Sequence, residues 1–272
     1  MLNTRRFAVV LLCLAPVPSI RANAQSAADA LNARLLKNVF FLRSLCFNIP
    51  LRFNEQGELG ITCNPVPFTV GLVQIDHVDR KDAGLDLRAH RVGLLFKDGQ
   101  PQPFDLARVL PLGVNSRIDI HIAPSASGDY GTALDHVFAK NFTDMYADVP
   151  EYWHAYFLSN LVPKSWRPSG YVDPTPIDIA GRSGATIPKV TRQVDAQYTE
   201  YAKAALFSGS VIVGLVVDTD GSPTQIHVYT PAGLGLDEQA VKAVSQYRFK
   251  PATKDGVAVP VKMNVDVSFQ IR

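Results

Sequence analysis

From Val257 to Ile271 every second residue is apolar: Val257, Val259, Val261, Met263, Val265, Val267, Phe269 and Ile271. The positions between them include Lys262, Asn264, Asp266, Ser268, Gln270 and Arg272. Successive side chains of a strand point to opposite faces, so this spacing sets one face on a core and the other in water or against a partner. It predicts a long, half-buried strand at the end of the chain. One such strand buries nothing by itself, and the residues before it must supply the rest of a sheet and its cover.

Those residues are legible in turn. Tyr198 to Leu206 reads as a short helix ending near Gly209, and Ser210 to Asp218 (SVIVGLVVD) as a β-rich run. Asp220-Gly221 is a turn signal, because glycine accepts the positive φ that tight hairpin turns require. Gln225 to Thr230 returns as the partner strand. Leu236, Ala240, Val244 and Tyr247 recur at the helical period and predict a helix over 236–247. Asp237 and Glu238 sit in its first turn, where carboxylates meet the positive end of the helix dipole. Two helices on one face of a three-stranded antiparallel sheet bury all these stripes.

The ordered set Tyr198, Ala202, Gly209-x-Val211-x-Val213 and Asp220-Gly221 is similar to the first half of TonB C-terminal domains. Gly233-x-Gly235-Leu236-Asp237, Ala240-Val241, Ala243-Val244 and Tyr247-x-Phe249-x-Pro251-Ala252, followed by the alternating strand, resembles the second half. The resemblance spans about residues 188–272. It departs from the family's energy transducers at two positions. Thr199 follows Tyr198 where they carry Pro, and Asp195 stands where they carry a Gln that touches the receptor.

The rest of the chain divides into three. Residues 1–24 read as a cleaved signal peptide: Arg5 and Arg6 form the positive end, Phe7 to Pro18 the apolar stretch, and Ala22-Asn23-Ala24 the cleavage site. The apolar stretch makes only ~18 Å of helix against a hydrocarbon core of ~30 Å, so no stable membrane span is expected once the signal is removed. Residues 25–162 read as a β-rich domain of unassigned role. Its strand-like runs are Ile49–Phe53, Phe68–Val78, Leu85–Phe96, Phe104–Leu110 and the Ile118/Ile120/Ile122 alternation, and helical signals follow from Thr132 to Phe142 and around Tyr146 to Leu161. Residues 163–188 hold Pro163, Pro168, Pro174, Pro176 and Pro188 with interspersed glycines and read as a linker, ahead of the C-terminal domain at 189–272. The fold class is thus α+β. Of the three cysteines, Cys13 lies in the signal, which leaves Cys46 and Cys63 as a disulfide pair in an exported protein; separate buried thiols are the alternative.

The function classes narrow accordingly. A net charge of +2 with no cationic run argues against a nucleic-acid surface. His77, His90, His121, His136 and His154 all fall in the N-terminal region outside any metal-ligand or nucleophile motif, so no catalytic residue, metal or cofactor is assigned and the chain is read as a non-enzyme. Tyr152, Trp153, Tyr156 and Phe157 read as a core face at helical spacing, and Trp166 as an aromatic that latches the linker to a domain. The resemblance implies a periplasmic protein that binds a protein partner, such as an outer-membrane receptor segment, by adding a strand to an exposed sheet edge. It places the docking edge at Val261, Met263, Val265 and Val267 with Tyr198 nearby. The alternatives are a self-associating protein that pairs this strand within a homodimer, and an enzyme with its site in the N-terminal domain.

Overall fold

The computed structural model describes residues 29–46, 50–110, 116–172, 177–182 and 184–271. The signal-peptide reading of 1–24 and its Cys13 lie outside them. A helix over residues 29–35 (α1) leads into β1 (Val39–Leu42), followed by β2 (Leu51–Phe53), β3 (Leu72–Lys81), β4 (Gly84–Lys97), β5 (Gln100–Asp105) and β6 (Arg117–Ile122). Then come α2 (Gly131–Val137), β7 (Phe138–Ala139), α3 (Phe142–Met145) and α4 (Glu151–Tyr156), which runs on as a π-helical turn through Leu161. These strands form a seven-stranded sheet in the order β2-β6-β4-β3-β1-β7, with β5 also on β4. β4 is long enough to take β6 along its first half and β5 along its second. Its alternation is strict where it crosses the core: Leu85, Leu87 and Ala89 are buried together with Ile118, Ile120 and Ile122 of β6. Cys46 and Cys63 are disulfide-bonded with their Cα atoms 5.5 Å apart.

The expected strand over Phe104–Leu110 sits earlier, at β5. Pro101 and Pro103 mask it in the sequence, and an edge strand tolerates them because a proline's missing N–H is not needed on the open side. Of the helical signal around 146–161, residues 146–149 are turn and bend, and the helix starts only after Pro150, which stands at the N-cap of α4, where a missing N–H is harmless. The aromatic cluster is core. Trp153 and Phe157 are fully buried, Phe68 lies edge-on to Trp153 at 5.2 Å, and Trp166 packs on Tyr146 at the same centroid distance.

The C-terminal module contains β8 (Lys189–Arg192), α5 (Glu200–Ala204), β9 (Gly209–Val217), β10 (Pro223–Thr230), α6 (Leu236–Val244), β11 (Arg248–Lys250), β12 (Ala252–Lys254), β13 (Val257–Val259) and β14 (Val261–Phe269). Its main sheet is three-stranded and antiparallel, in the order β10-β9-β14. α6 covers it with Ala240, Val241 and Val244, and α5 contributes the buried Ala202. Thr199 is the N-cap of α5: its Oγ1 accepts from the Ala202 N–H and donates to the Leu234 carbonyl at 2.6 Å. A threonine therefore starts this helix where the resembling transducers use Pro.

The fifteen-residue alternation is not one strand. Pro260 divides it, and Lys254-Asp255-Gly256-Val257 turns back so that β13 pairs with β12. Asp255 and Gly256 both have positive φ (51° and 80°), which is the demand of a two-residue hairpin turn. Val257, with no sheet above it, is 67% exposed.

The two regions share a core. One continuous buried cluster runs from Phe68, Trp153 and Phe157 to Val211, Val213 and Val244. They also share main-chain pairing. Beyond Val92, where β3 ends its register, β4 exposes an edge. Residues 232–234 take it: Phe96 N–H donates to the Ala232 carbonyl (3.1 Å) and Leu234 N–H to the Leu94 carbonyl (3.0 Å). Gly233 makes this approach possible, since a Cβ there would lie 2.0 Å from the Leu94 carbonyl oxygen.

Candidate functional site

β14 is an outer strand of its sheet, paired with β9 from Val261↔Val217 to Phe269↔Gly209 without a break in register. The residues expected to form the docking edge all lie on it. Val261, Met263, Val265 and Val267 register with Val217, Leu215, Val213 and Val211, and their side chains share the face turned to the core. Tyr198 reaches the far end of the strand. Its ring stands edge-on to Phe269 at 5.6 Å and its hydroxyl donates to the Phe207 carbonyl. The side chains at these positions thus build the module, while what the edge presents outward is main chain.

Which main-chain groups point outward is settled by one residue. Lys262 N–H donates to the Asp178 carbonyl (2.8 Å), and the Lys262 carbonyl accepts from Ala180 N–H (2.9 Å), both across the outer edge. Backbone groups alternate sides along a strand, so Asn264, Asp266 and Ser268 also direct theirs outward. All three are exposed, and among the described residues none has a backbone partner there. A groove adjoins the edge, walled by Tyr152 and Ala155 of α4, Tyr171 and Ile179 before β8, and Ile226 and Met263 of the sheet. The contact from Asp178–Ala180 was not legible in the sequence, because three residues in a Pro-rich stretch carry no periodicity to read.

The second unforeseen feature lies where the module meets the N-terminal domain. Glu238 Oε1 accepts from the Trp153 indole N–H and from the Phe68 backbone N–H, both at 3.1 Å. Asp237 accepts from the N–H groups of Ala232 (2.8 Å) and Gly233 (2.9 Å), which holds the segment that pairs with β4. Gly235 N–H donates to Thr69 Oγ1 at 2.8 Å. Burial pushes both carboxyls up from their ordinary values, and the nearby Asp237 pushes Glu238 further. Desolvation outweighs the hydrogen bonds that favour the charged forms.

Four of the five histidines of the N-terminal domain are held by neighbours, and His77 is exposed. His90 Nδ1 lies 2.6 Å from Asp76 and His121 Nδ1 2.7 Å from Asp86; the His121 hydrogen bond holds the Asp86 carboxyl below the usual range. His136 faces the Gln56 carbonyl, and His154 stacks on Tyr146 at 4.3 Å. Among the described residues no group of three His, Cys, Asp or Glu side chains is placed to hold a metal ion.

A three-stranded antiparallel sheet covered by α5 and α6, with β14 at its rim, is the arrangement the family resemblance implies. The family model described as Gram-negative bacterial TonB protein C-terminal matches residues 194–271. These residues form a TonB C-terminal domain. Protein TonB of Vibrio cholerae serotype O1 (strain ATCC 39315 / El Tor Inaba N16961) is 26% identical over 83 residues, 30% of this chain and 34% of that protein. The matched part is thus about a third of the relative's length. The solution NMR structure of the Pseudomonas aeruginosa TonB CTD covers 36% of this chain and 97% of its own, at 22% identity and a TM-score of 0.27. The TonB C-terminal domain accounts for less than a third of the present chain, and the seven-stranded sheet lies outside it. Among the described residues no helix is long and apolar enough to cross a membrane.

Proposed function

We propose that this chain is an exported, periplasmic protein whose TonB C-terminal domain binds a protein partner by strand addition at the β14 edge, in the service of transport across the outer membrane. The observation that carries the reading is the row of outward main-chain groups at Asn264, Asp266 and Ser268, which have no backbone partner among the described residues. An edge of this kind is a template for another strand, and its affinity comes from main-chain hydrogen bonds rather than from side-chain chemistry. The inward commitment of Val261, Met263, Val265 and Val267 fits that mode, because a docking strand needs only their backbone and a rigid sheet beneath it. The similarity to Protein TonB supports a role in the cell envelope and a receptor segment as the class of partner. No reaction chemistry is assigned, and the seven-stranded domain is read as the platform that holds the module. Residues 1–24 are proposed as the export signal and 163–188 as the connection between the domains.

A photo-crosslinking residue placed at Asp266 of the full chain tests the reading in cells. Crosslinks to an extended segment of an outer-membrane protein, absent when the probe stands at Lys254, are the expected result. Crosslinks only to a second copy of the chain would establish the homodimer instead and refute the receptor reading.

A further inference from the structure

We propose that the segment Ile177–Ala180 is an intramolecular stand-in for the partner strand, capping the Lys262 end of the β14 edge until a segment running in the same direction displaces it. The inference rests on the strand-addition reading above and adds a competitor carried by the chain itself.

The cap is a short strand addition in its own right. Ile179 and Lys262 form a parallel bridge, flanked by Lys262 N–H to Asp178 O and Ala180 N–H to Lys262 O. A parallel addition must come either from a distant part of the chain or from another molecule, since a tight hairpin joins only antiparallel strands. The segment then leaves the edge abruptly. Gly181 has a φ of 74° and Arg182 N–H donates to the Ile179 carbonyl, so the chain bends away before it reaches Asn264. Beyond this bend the chain is fastened to the β12–β13 hairpin: Thr186 N–H donates to the Thr253 carbonyl, and Ala180 and Ala185 pack with Ala252 and Val261. The cap therefore occupies one outward position of β14 and leaves the next three open.

Its side chains describe what the edge accepts. Ala180 is small where the chain passes over Ala252 and Val261, and Ile179 walls the adjoining groove while remaining 48% exposed. A partner strand that starts on the Asn264–Ser268 row and extends toward Lys262 meets this segment head on. Two main-chain hydrogen bonds hold the cap, fewer than a strand engaging Lys262, Asn264, Asp266 and Ser268 together can form. A longer parallel segment, apolar at the groove and small beside Ala252, is the occupant this geometry favours.

Two measurements on the full chain test the proposal. Hydrogen exchange at the Lys262 amide reads the cap directly. Ala180→Pro removes the donor N–H, and replacing residues 177–182 with a Gly/Ser stretch serves if the proline variant does not fold. Exchange at Lys262 should accelerate at least tenfold in either variant while amides on β9 stay protected. The probe for competition is a synthetic peptide of residues 177–182, added in trans and followed by amide shifts at Lys262 and Asn264. It should bind the released variant at concentrations at least tenfold below those needed for the wild type. Equal exchange in wild type and variants overturns the cap, whatever the crosslinking at Asp266 finds. Protection that disappears on dilution overturns it too, since the strand would then come from a second copy. A cap that releases as expected but leaves peptide uptake unchanged refutes competition at this edge. Failure of the receptor reading alone would show as a releasable cap without crosslinks at Asp266.

Discussion

Replacing Glu238 tests how the TonB C-terminal domain is fixed to the rest of the chain. Glu238→Ala removes the one oxygen that accepts both the Trp153 indole N–H and the Phe68 backbone N–H. Trp153 is fully buried and Phe68 is 1% exposed, so water does not readily replace the lost acceptor. An unsatisfied buried donor costs about 1–3 kcal/mol, so two cost about 2–6 kcal/mol. For a chain whose total stability is of the order of 5–15 kcal/mol, that is a large fraction. Denaturant unfolding followed by tryptophan fluorescence reads the loss. In a double-mutant cycle, Trp153→Phe should recover about 1–3 kcal/mol of the effect, because it deletes one orphaned donor. A cost below about 1 kcal/mol for Glu238→Ala, or strict additivity in the cycle, would refute the enclosed carboxyl.

The same group fixes a pH dependence of unusual sign. The folded-state pKa of Glu238 and of Asp237 is raised by burial above the unfolded value. Each proton is therefore held by the folded state and released on unfolding at intermediate pH. The stabilisation is fully present below the unfolded carboxylate pKa and is lost as pH rises through the raised folded value. The slope is about 1.4 kcal/mol per pH unit for each proton involved. Glu238→Gln keeps an acceptor oxygen but cannot ionise, so it should remove about one proton's worth of slope. Asp86 and Asp135 have lowered pKa values and act in the opposite direction, at more acidic pH. Unfolding curves from pH 4 to pH 9 with the same slope in both proteins would contradict the assignment.

Other perturbations have equally definite outcomes. Gly221→Ala places a Cβ 1.9 Å from the Phe249 carbonyl oxygen at a φ of 82°, so we expect a loss of more than about 2 kcal/mol in thermal unfolding; a neutral effect would mean the β9–β10 turn is built differently. Thr199→Ala removes the α5 N-cap and should cost about 1 kcal/mol, with Thr199→Ser restoring most of it; the same denaturant assay checks both. Joint replacement of Cys46 and Cys63 by Ala should cost roughly 3 kcal/mol in the chain-entropy model, whereas a thiol titration that finds two free cysteines in the oxidised protein would disprove the bond.

What the sequence made legible and what it hid divide along a physical line. The buried faces of β4, β6, β9, β14 and α6 were readable because burial selects side chains, and side chains are what a sequence spells. The alternation misled only at Pro260, where apolar spacing continues through a residue that ends one strand and starts another. Asp237 and Glu238 were read as helix-dipole partners, a local role. Glu238 is instead held by Phe68 and Trp153, which are distant in sequence, and no window around α6 contains that information. The candidate site is harder still. Val261, Met263, Val265 and Val267 drew attention because they are apolar, yet that property turns them inward to Val217, Leu215, Val213 and Val211. The edge itself consists of N–H and C=O groups that almost every residue carries, so composition and periodicity cannot mark it. It becomes visible only through its pairing, and here the pairing with Asp178 and Ala180 supplies the mark: it fixes which positions face outward and the direction in which a strand lies. A docking edge of this kind is best located by asking where a sheet's main-chain bonds run out, and Asn264 is where those of the self-added strand stop.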